Sequence, residues 1–101
     1  MFKRARLDRN HGEIVDALRK VGASVQSLAS LGDGVPDILA GFRGKNYLLE
    51  VKDPLKSPSA RTLTPDQIEW HQGWNGQAVV VETTTEALTA IGAIDFDGLP
   101  F

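Results

Sequence analysis

Two acidic residues and a lysine interrupt an otherwise apolar segment, GVPDILAGFRGKNYLLEVKD, which spans residues 34–53. Twelve residues separate Asp37 from Glu50, and Lys52 follows Glu50 by two positions. Carboxylates, together with a backbone carbonyl and waters, form the hard oxygen environment that Mg²⁺ or Mn²⁺ selects. A lysine beside them can reach an attacking water or a phosphate oxygen. These residue types at this spacing therefore point to Mg²⁺- or Mn²⁺-assisted chemistry on a phosphate ester.

The alternation of the same segment predicts a β-hairpin with strands at roughly 36–42 and 46–52, because successive strand residues point to opposite faces. The core face carries Ile38, Ala40, Phe42, Tyr47, Leu49 and Val51, and the other face carries Asp37, Leu39, Gly41, Leu48, Glu50 and Lys52. A two-residue turn at Arg43-Gly44 places Asp37 opposite Glu50. A turn one residue later places Asp37 opposite Lys52, and a three-residue turn separates the groups. The sequence leaves these registers open.

Two carboxylates that face each other on apolar strands repel and lose hydration, which normally destabilises a sheet. A divalent cation between them removes both problems. The alternative is structural: Asp37 ends a turn, and Glu50 pairs with Lys52 at the edge of the sheet. We favour the metal site, because the three groups occur together among apolar neighbours.

The rest of the chain predicts the elements that position this hairpin. Apolar residues recur at helical spacing in HGEIVDALRKVG, which predicts a first helix. A weak alternation predicts a first strand in ASVQSLAS, and Thr64 as N-cap predicts the start of a helix in TPDQIEWHQGW. QAVVVET is typical of a strand covered on both faces, TTEALTAIGAI predicts a short final helix, and PLKSPSARTL predicts an irregular loop. The order α-β-β-β-α-β-α predicts one α/β domain over residues 1–101, with a mixed sheet flanked by helices.

The charged residues in this context resemble the motif of the PD-(D/E)XK nuclease superfamily, with Pro36-Asp37 followed by Glu50-Val51-Lys52. In size and layout the chain is similar to the virus-type replication-repair nuclease (VRR-NUC) domain in the small stand-alone form found in phages. Archaeal-type Holliday-junction resolvases are similar as well. The likeness runs from the helix that contains Glu13 to the strand at 77–82, and it implies a restriction-endonuclease-like core.

The resemblance also implies roles for individual residues. Asp37 and Glu50 are expected to bind the metal, assisted by the Val51 carbonyl. Lys52 is expected to orient the attacking water or to stabilise negative charge on the phosphate. Members of this branch often carry a glutamate on the first helix, and Glu13 matches it as a further metal ligand.

Glu13 and Gln67 each have a capping role as an alternative. With Asn10 as N-cap, Glu13 occupies the third helical position, where it would close a capping box. Gln67 matches a glutamine that the family carries on the second helix, which implies a catalytic role. It also follows Thr64 by three residues, so a capping box explains it equally well.

Aromatic and histidine residues give weaker signals. Gln67, Trp70, His71 and Trp74 share one helical stripe. Packing against the sheet is the favoured interpretation of this stripe, and a catalytic or stacking surface is the alternative. His11 and His71 lack the partner spacing of a zinc site.

Composition limits the class of protein and polarises its charge. Of the 101 residues 42% are apolar, and no cysteine is present, which excludes a thiolate nucleophile or metal site. All eleven Lys and Arg lie within residues 1–61 beside seven acids, a net charge of +4, whereas residues 62–101 carry six acids and a net charge of −6. The basic half predicts contacts with DNA phosphates by Lys3, Arg4, Arg6, Lys56 and Arg61. The alternatives are a chance segregation of surface charge and, for Lys56 and Arg61, a merely solvated loop. No apolar run reaches the length of a membrane span, so we expect no membrane partner and a location in the cytoplasm of a prokaryotic or phage-infected cell.

The expected function is that of a Mg²⁺- or Mn²⁺-dependent DNA endonuclease that hydrolyses phosphodiester bonds. We expect it to select branched or junction DNA by shape, as DNA repair requires. A homodimer is expected, because two-fold symmetry places two sites on two strands. The apolar C-terminal segment either folds back on its own domain or covers the partner, and we favour the partner. The rival is a non-catalytic DNA-binding or assembly module on a nuclease-like fold. A restriction-type endonuclease ranks last, because the chain is too short for a base-reading insertion as well.

Overall fold

The computed structural model describes residues 7–95 and 98–100. The elements are α1 (His11–Lys20), β1 (Ser24–Ser27), β2 (Ile38–Phe42), β3 (Lys45–Val51), α2 (Pro58–Arg61), α3 (Pro65–Gly73), β4 (Ala78–Val81) and α4 (Thr84–Ala90). The predicted order is therefore confirmed, with one short helix added between the hairpin and α3.

The four strands form one mixed sheet in the order β1-β2-β3-β4. Strands β1, β2 and β3 pair antiparallel, whereas β4 runs parallel to β3. Helices α1 and α4 pack against each other and against the sheet. Helix α3 lies over the opposite face, where Gln67 contacts Lys52. This arrangement confirms the predicted α/β class, a mixed sheet flanked by helices.

The core lies between α1, α4 and the predicted core face of the hairpin. Ile14 and Leu18, one helical turn apart in α1, are fully buried. They meet the apolar side chains Ile38, Ala40, Leu49, Val51, Val81, Ala87 and Ile91. Burial of each large side chain contributes about 1.5–3 kcal/mol, so this layer anchors the strands that carry the charged face.

The hairpin turn settles the register that the sequence left open. Ile38 pairs with Leu49, and Phe42 pairs with Lys45, so the turn is the two-residue Arg43-Gly44. Both turn residues have positive φ, 51° and 80°, as a type I′ turn requires. Continued by one residue, this register places Asp37 opposite Glu50.

Two predictions about individual segments are wrong. β4 is not covered on both faces, because the sheet ends there and Val79 and Val80 remain 39% and 38% exposed. The segment PLKSPSARTL is not wholly irregular, because Pro58 begins the short helix α2. Proline is tolerated there, since the first helical position needs no N–H partner.

The C-terminal segment folds back in part on its own domain. Ile91 and Ala93 are buried in the core, and Ile94 pairs with Pro100 in an isolated bridge. Phe96 and Phe101, two of the apolar residues expected to cover a partner, lie outside the described residues. Across residues 7–95 and 98–100, no helix has both the length and the apolar character needed to cross a membrane.

Candidate functional site

The centre of the site is the pair formed by Asp37 and Glu50 on neighbouring strands. Asp37 is held by its backbone carbonyl, which accepts from Leu28 N–H at 2.7 Å, and by its Oδ2, which accepts from Val51 N–H at 2.9 Å. Glu50 is only 3% exposed. Its Oε1 is buried and has no hydrogen-bond partner among the described residues. The pair is therefore fixed in place but incompletely satisfied.

The electrostatics of the pair show that it lacks sufficient positive charge. Burial, followed by the charge of Asp37 and a hydrogen bond with it, raises the pKa of Glu50 to about 8, and the charge of Lys52 only partly opposes this. Two carboxyl groups this close avoid a double negative charge by retaining a proton. A divalent cation would meet the same need and would give the free Oε1 a partner.

Lys52 supplies the positive charge beside the carboxylates. It is 7% exposed, and its Nζ lies 4.0 Å from Glu50 Oε2. The same ammonium group donates a hydrogen bond of 2.8 Å to Gln67 Oε1. The lysine is therefore held between β3 and α3, with its charge directed at the pair.

Gln67 combines both of its predicted interpretations. Its Oε1 accepts from Thr64 N–H at 2.9 Å, and Thr64 Oγ1 accepts from Gln67 N–H at 3.3 Å, which completes the capping box of α3. The same oxygen accepts from Lys52 Nζ. The cap thus fixes the amide that orients the lysine, while a direct catalytic role of Gln67 stays a prediction.

The start of α3 is docked by a glycine. Gly34 has φ +79°, and a Cβ built on it would lie 2.3 Å from the carbonyl oxygen of Asp66. Only glycine allows the loop before β2 to approach the helix this closely. The loop that leads into Asp37 and the helix that carries Gln67 are therefore held together.

A second set of contacts fixes the end of β3, and sequence reasoning missed it. Asn10 Nδ2 donates to the carbonyls of Lys52, at 3.1 Å, and of Glu82, at 2.8 Å. Arg9 makes two hydrogen bonds of 3.1 and 3.0 Å to the carboxylate of Asp53. The hydrogen bond from Arg9, followed by that from Leu55 N–H, lowers the pKa of Asp53. In the sequence, the signals for this ion pair were Asp53, directly after the motif, and Arg9, ahead of α1.

Glu13 lies apart from the pair. Its side chain is exposed and lines a cleft with Arg9, Pro54 and Glu82. The capping-box alternative is wrong, because the Asn10 side chain makes no cap hydrogen bond and binds the ends of β3 and β4 instead. Within residues 7–95 and 98–100, no three His, Asp or Glu side chains gather closely enough to share a cation. The metal role of Glu13 therefore stays a prediction.

The expected phosphate contacts are described only in part. Lys56 pairs with Asp8 at 2.5 Å, and Arg61 pairs with Glu82 at 3.7 Å. Both pairs are at least partly exposed, so a phosphate can compete for these cations. Lys3, Arg4 and Arg6 lie outside the described residues.

The donor set fits a hard divalent cation. Two carboxylates face each other, one of them has a buried oxygen without a partner in the described part of the chain, and the Val51 backbone is adjacent to both. Mg²⁺ is commonly bound by one or two carboxylates and completes its shell with waters and substrate oxygens. Asp37 and Glu50 would hold the ion, with the Val51 carbonyl as the expected third oxygen.

Comparison with solved structures identifies the fold. A structure described as a VRR_NUC domain superposes with a TM-score of 0.57, over 79% of this chain and 91% of that chain, at 23% sequence identity. The chain has the fold of a VRR_NUC domain. The fold implied by the resemblance is thus confirmed. No protein-family model matches the sequence, and no curated protein is significantly similar to it.

Within the VRR_NUC fold, three separate elements meet at the motif. The hairpin brings Asp37 to Glu50, α3 brings Gln67 to Lys52, and the residue before α1, Asn10, fixes the backbone of Lys52. Each contact joins residues distant in the chain, so the site exists only in the folded domain.

Proposed function

We propose that this chain is a metal-dependent DNA endonuclease that hydrolyses phosphodiester bonds. The observation that carries the proposal is the pair of buried Glu50 and half-buried Asp37, opposite each other on neighbouring strands, with the Lys52 ammonium 4.0 Å from Glu50. A structural pair would be completed by its own hydrogen bonds, whereas Glu50 Oε1 is left without a partner in the described part of the chain. The VRR_NUC fold supports the proposal.

The residues of the chain divide the work. Asp37 and Glu50, with the Val51 carbonyl, would hold Mg²⁺ or Mn²⁺, and the bound ion would supply a water of lowered pKa and polarise the scissile phosphate. Lys52 holds a fixed positive charge where negative charge develops on the phosphate oxygens. Gln67 keeps the ammonium in that position. Glu13, on α1, assists from the neighbouring cleft.

The proposed substrate is branched DNA. The basic half of the chain, including Lys3, Arg4, Arg6, Lys56 and Arg61, grips backbone phosphates, which fix position without reading sequence. Two copies related by a two-fold axis would present two sites to two strands of a junction. Shape therefore selects the substrate.

A cleavage assay tests the proposal. Labelled duplex, flap, splayed-arm and four-way-junction DNA are incubated with the pure protein in Mg²⁺, Mn²⁺ or EDTA. We expect cleavage of the branched DNAs that depends on the metal. Asp37→Asn and Glu50→Gln should each abolish it while the fold is retained, and Asp16→Asn, which removes an exposed carboxylate of α1, should cleave normally.

Two results would contradict the proposal. Near-normal cleavage by Asp37→Asn or Glu50→Gln in Mg²⁺ would remove the metal site from the reaction. DNA binding by the parental protein without cleavage in any metal would favour the non-catalytic DNA-binding or assembly module.

A further inference from the structure

The two tryptophans of the chain lie at the end of α3, Trp70 within the helix and Trp74 as its C-cap residue, and they stack on each other beyond the contact with Lys52. The rings of Trp70 and Trp74 lie 4.7 Å apart at an interplanar angle of 17°. Trp70 also meets His71 edge-to-face, with ring centroids 5.4 Å apart. Trp74 is nevertheless 47% exposed. Trp74 is therefore not buried against the sheet, and the favoured packing interpretation is wrong for this residue.

The exposed indole is held in a fixed position. Trp70 covers one face of the Trp74 ring. Gly76 lies against its edge, since a Cβ built on this glycine would be 2.8 Å from Trp74 Nε1. A rigid aromatic ring presents a large contact area at a low entropic cost. The open face of Trp74 is thus preorganised to receive another flat group.

The tryptophan pair begins within one helical turn of the candidate site. Gln67 accepts a hydrogen bond from Lys52, and Trp70, His71 and Trp74 continue the same face of α3. Burial lowers the pKa of His71, and the charge of Lys52 lowers it further, which puts this middle residue near the lysine. The seven residue steps from Gln67 to Trp74 rise roughly 10 Å, about three base steps along a DNA strand.

Charge decides which part of a DNA strand faces the tryptophans. Trp70 lines a cleft together with Asp33, Asp66 and Glu69. These three carboxylates repel the phosphate backbone from the Trp70 end of the tryptophan pair. A neutral base avoids that repulsion, and its exocyclic amino groups can donate to the carboxylates.

We propose that the open face of Trp74 stacks an unpaired base of the DNA strand whose phosphate occupies the Asp37–Glu50–Lys52 site. The inference rests on the proposed function and narrows it, because the substrate must then carry unpaired nucleotides a few positions from the scissile bond. A fully paired duplex keeps its bases stacked inside the helix and offers none to Trp74.

Binding in Ca²⁺ tests this proposal separately from cleavage. The probes are a splayed-arm DNA and a fully paired duplex that contains the same labelled strand. Base–aromatic stacking contributes about 1–3 kcal/mol, so Trp74→Ala should weaken splayed-arm binding about 5- to 150-fold and duplex binding less than about twofold. Trp74→Phe should retain most of the affinity, and Trp74→Leu, which keeps an apolar side chain without a ring, should not. Ile68→Ala on the same helix is the matched control, because Ile68 is 43% exposed but lies off the stripe.

Several outcomes would overturn the proposal. One is equal binding of the two DNAs by the parental protein, and another is unchanged splayed-arm affinity in Trp74→Ala. A third is equal affinity in the Phe and Leu variants, which would show that the ring is not stacked on a base. Conversion of a dimer to a monomer by Trp74→Leu would show that a second protein chain covers the indole. A failure of the cleavage assay alone leaves this binding result intact, so the two proposals fail separately.

Discussion

Glu50 combines deep burial with a carboxylate neighbour and incomplete hydrogen bonding. The positive charge beside it is the Lys52 ammonium at 4.0 Å, which also donates a hydrogen bond to Gln67. An ionised carboxylate in such a place costs stability, and the protein without metal avoids that cost by keeping a proton. The ionised Glu50 carboxylate therefore lowers the stability of the folded protein, and a bound cation would restore that stability.

The thermal stability of the metal-free protein should fall as pH rises from about 5 to 8. The folded state keeps a proton on Glu50, whose pKa is raised to about 8, while the unfolded state has already lost it above its usual pKa of 4.5. The folded state then binds more protons, so the free energy of unfolding decreases across this interval and levels off above it. Thermal melts in EDTA at a series of pH values measure the slope.

Glu50→Gln is the control for this slope. The variant cannot titrate at this position but keeps His71, so the difference between the two curves isolates Glu50. We expect a smaller fall in the variant. In the parental protein, saturating Mg²⁺ should stabilise most at the upper end of the pH range. Parallel curves in EDTA for the two proteins would contradict the buried-pair argument.

Lys52→Ala should separate chemistry from binding. Loss of one electrostatic stabiliser typically costs about 10²–10³-fold in turnover, so cleavage of branched DNA should drop by at least about 10²-fold. DNA affinity in Ca²⁺ should change little, and Gln67→Ala should show a smaller loss in the same direction. Lys45→Ala, at the exposed start of β3, is the control. If affinity falls in step with turnover, Lys52 is a phosphate anchor.

At the level of elements, hydrophobic periodicity predicted α1 and the hairpin strands, because each core-facing stripe is local, whereas α3, which has no buried residue, was predicted from its Thr64-Pro65 start. The register of the hairpin was not predictable, since Arg43-Gly44 and Gly44-Lys45 both contain the glycine that a tight turn favours. The exposure of Val79 and Val80 depended on the position of β4 at the edge of the sheet, which a run of valines does not encode. The contacts of Asn10 were equally out of reach, since they join residues 42 and 72 positions apart.

Gly34→Ala should disturb the site through the position of α3. The substitution meets the Asp66 carbonyl at 2.3 Å, whereas Gly32→Ala, also at positive φ, has nothing within 4 Å. A left-handed alanine lowers the free energy of unfolding by roughly 1–2 kcal/mol in both variants. Overpacking in Gly34→Ala should lower it by typically about 1–3 kcal/mol more. Chemical denaturation should show this difference. Cleavage should drop more in Gly34→Ala, because Gln67 moves away from Lys52. Equal losses in the two variants would show that the loop–helix contact is not needed.

Across the whole molecule, DNA bound as proposed would compete with local carboxylate partners for the surface cations. Two of the expected phosphate-binding cations, Lys56 and Arg61, already pair with Asp8 and Glu82. Exposed pairs of this kind contribute at most about 1 kcal/mol, less than a charge-assisted contact with phosphate can return.

Assembly is the property of the whole molecule that the proposed junction cleavage depends on, and we expect a homodimer. The C-terminal segment closes on itself, with Leu99 N–H donating to Asp95 Oδ1 at 2.9 Å, yet Leu99 stays 59% exposed. Covering such apolar groups with a second subunit would stabilise the pair by about 1.5–3 kcal/mol for each large side chain. Sedimentation of the full chain at micromolar concentration should give a dimer, and a version that ends at Ala93 should give a monomer.

A dimer that persists after truncation moves the interface elsewhere, first to the open edge of β4, where Val80→Lys would then disrupt it. A monomeric full chain that still cuts four-way junctions on two strands would remove the need for a second subunit.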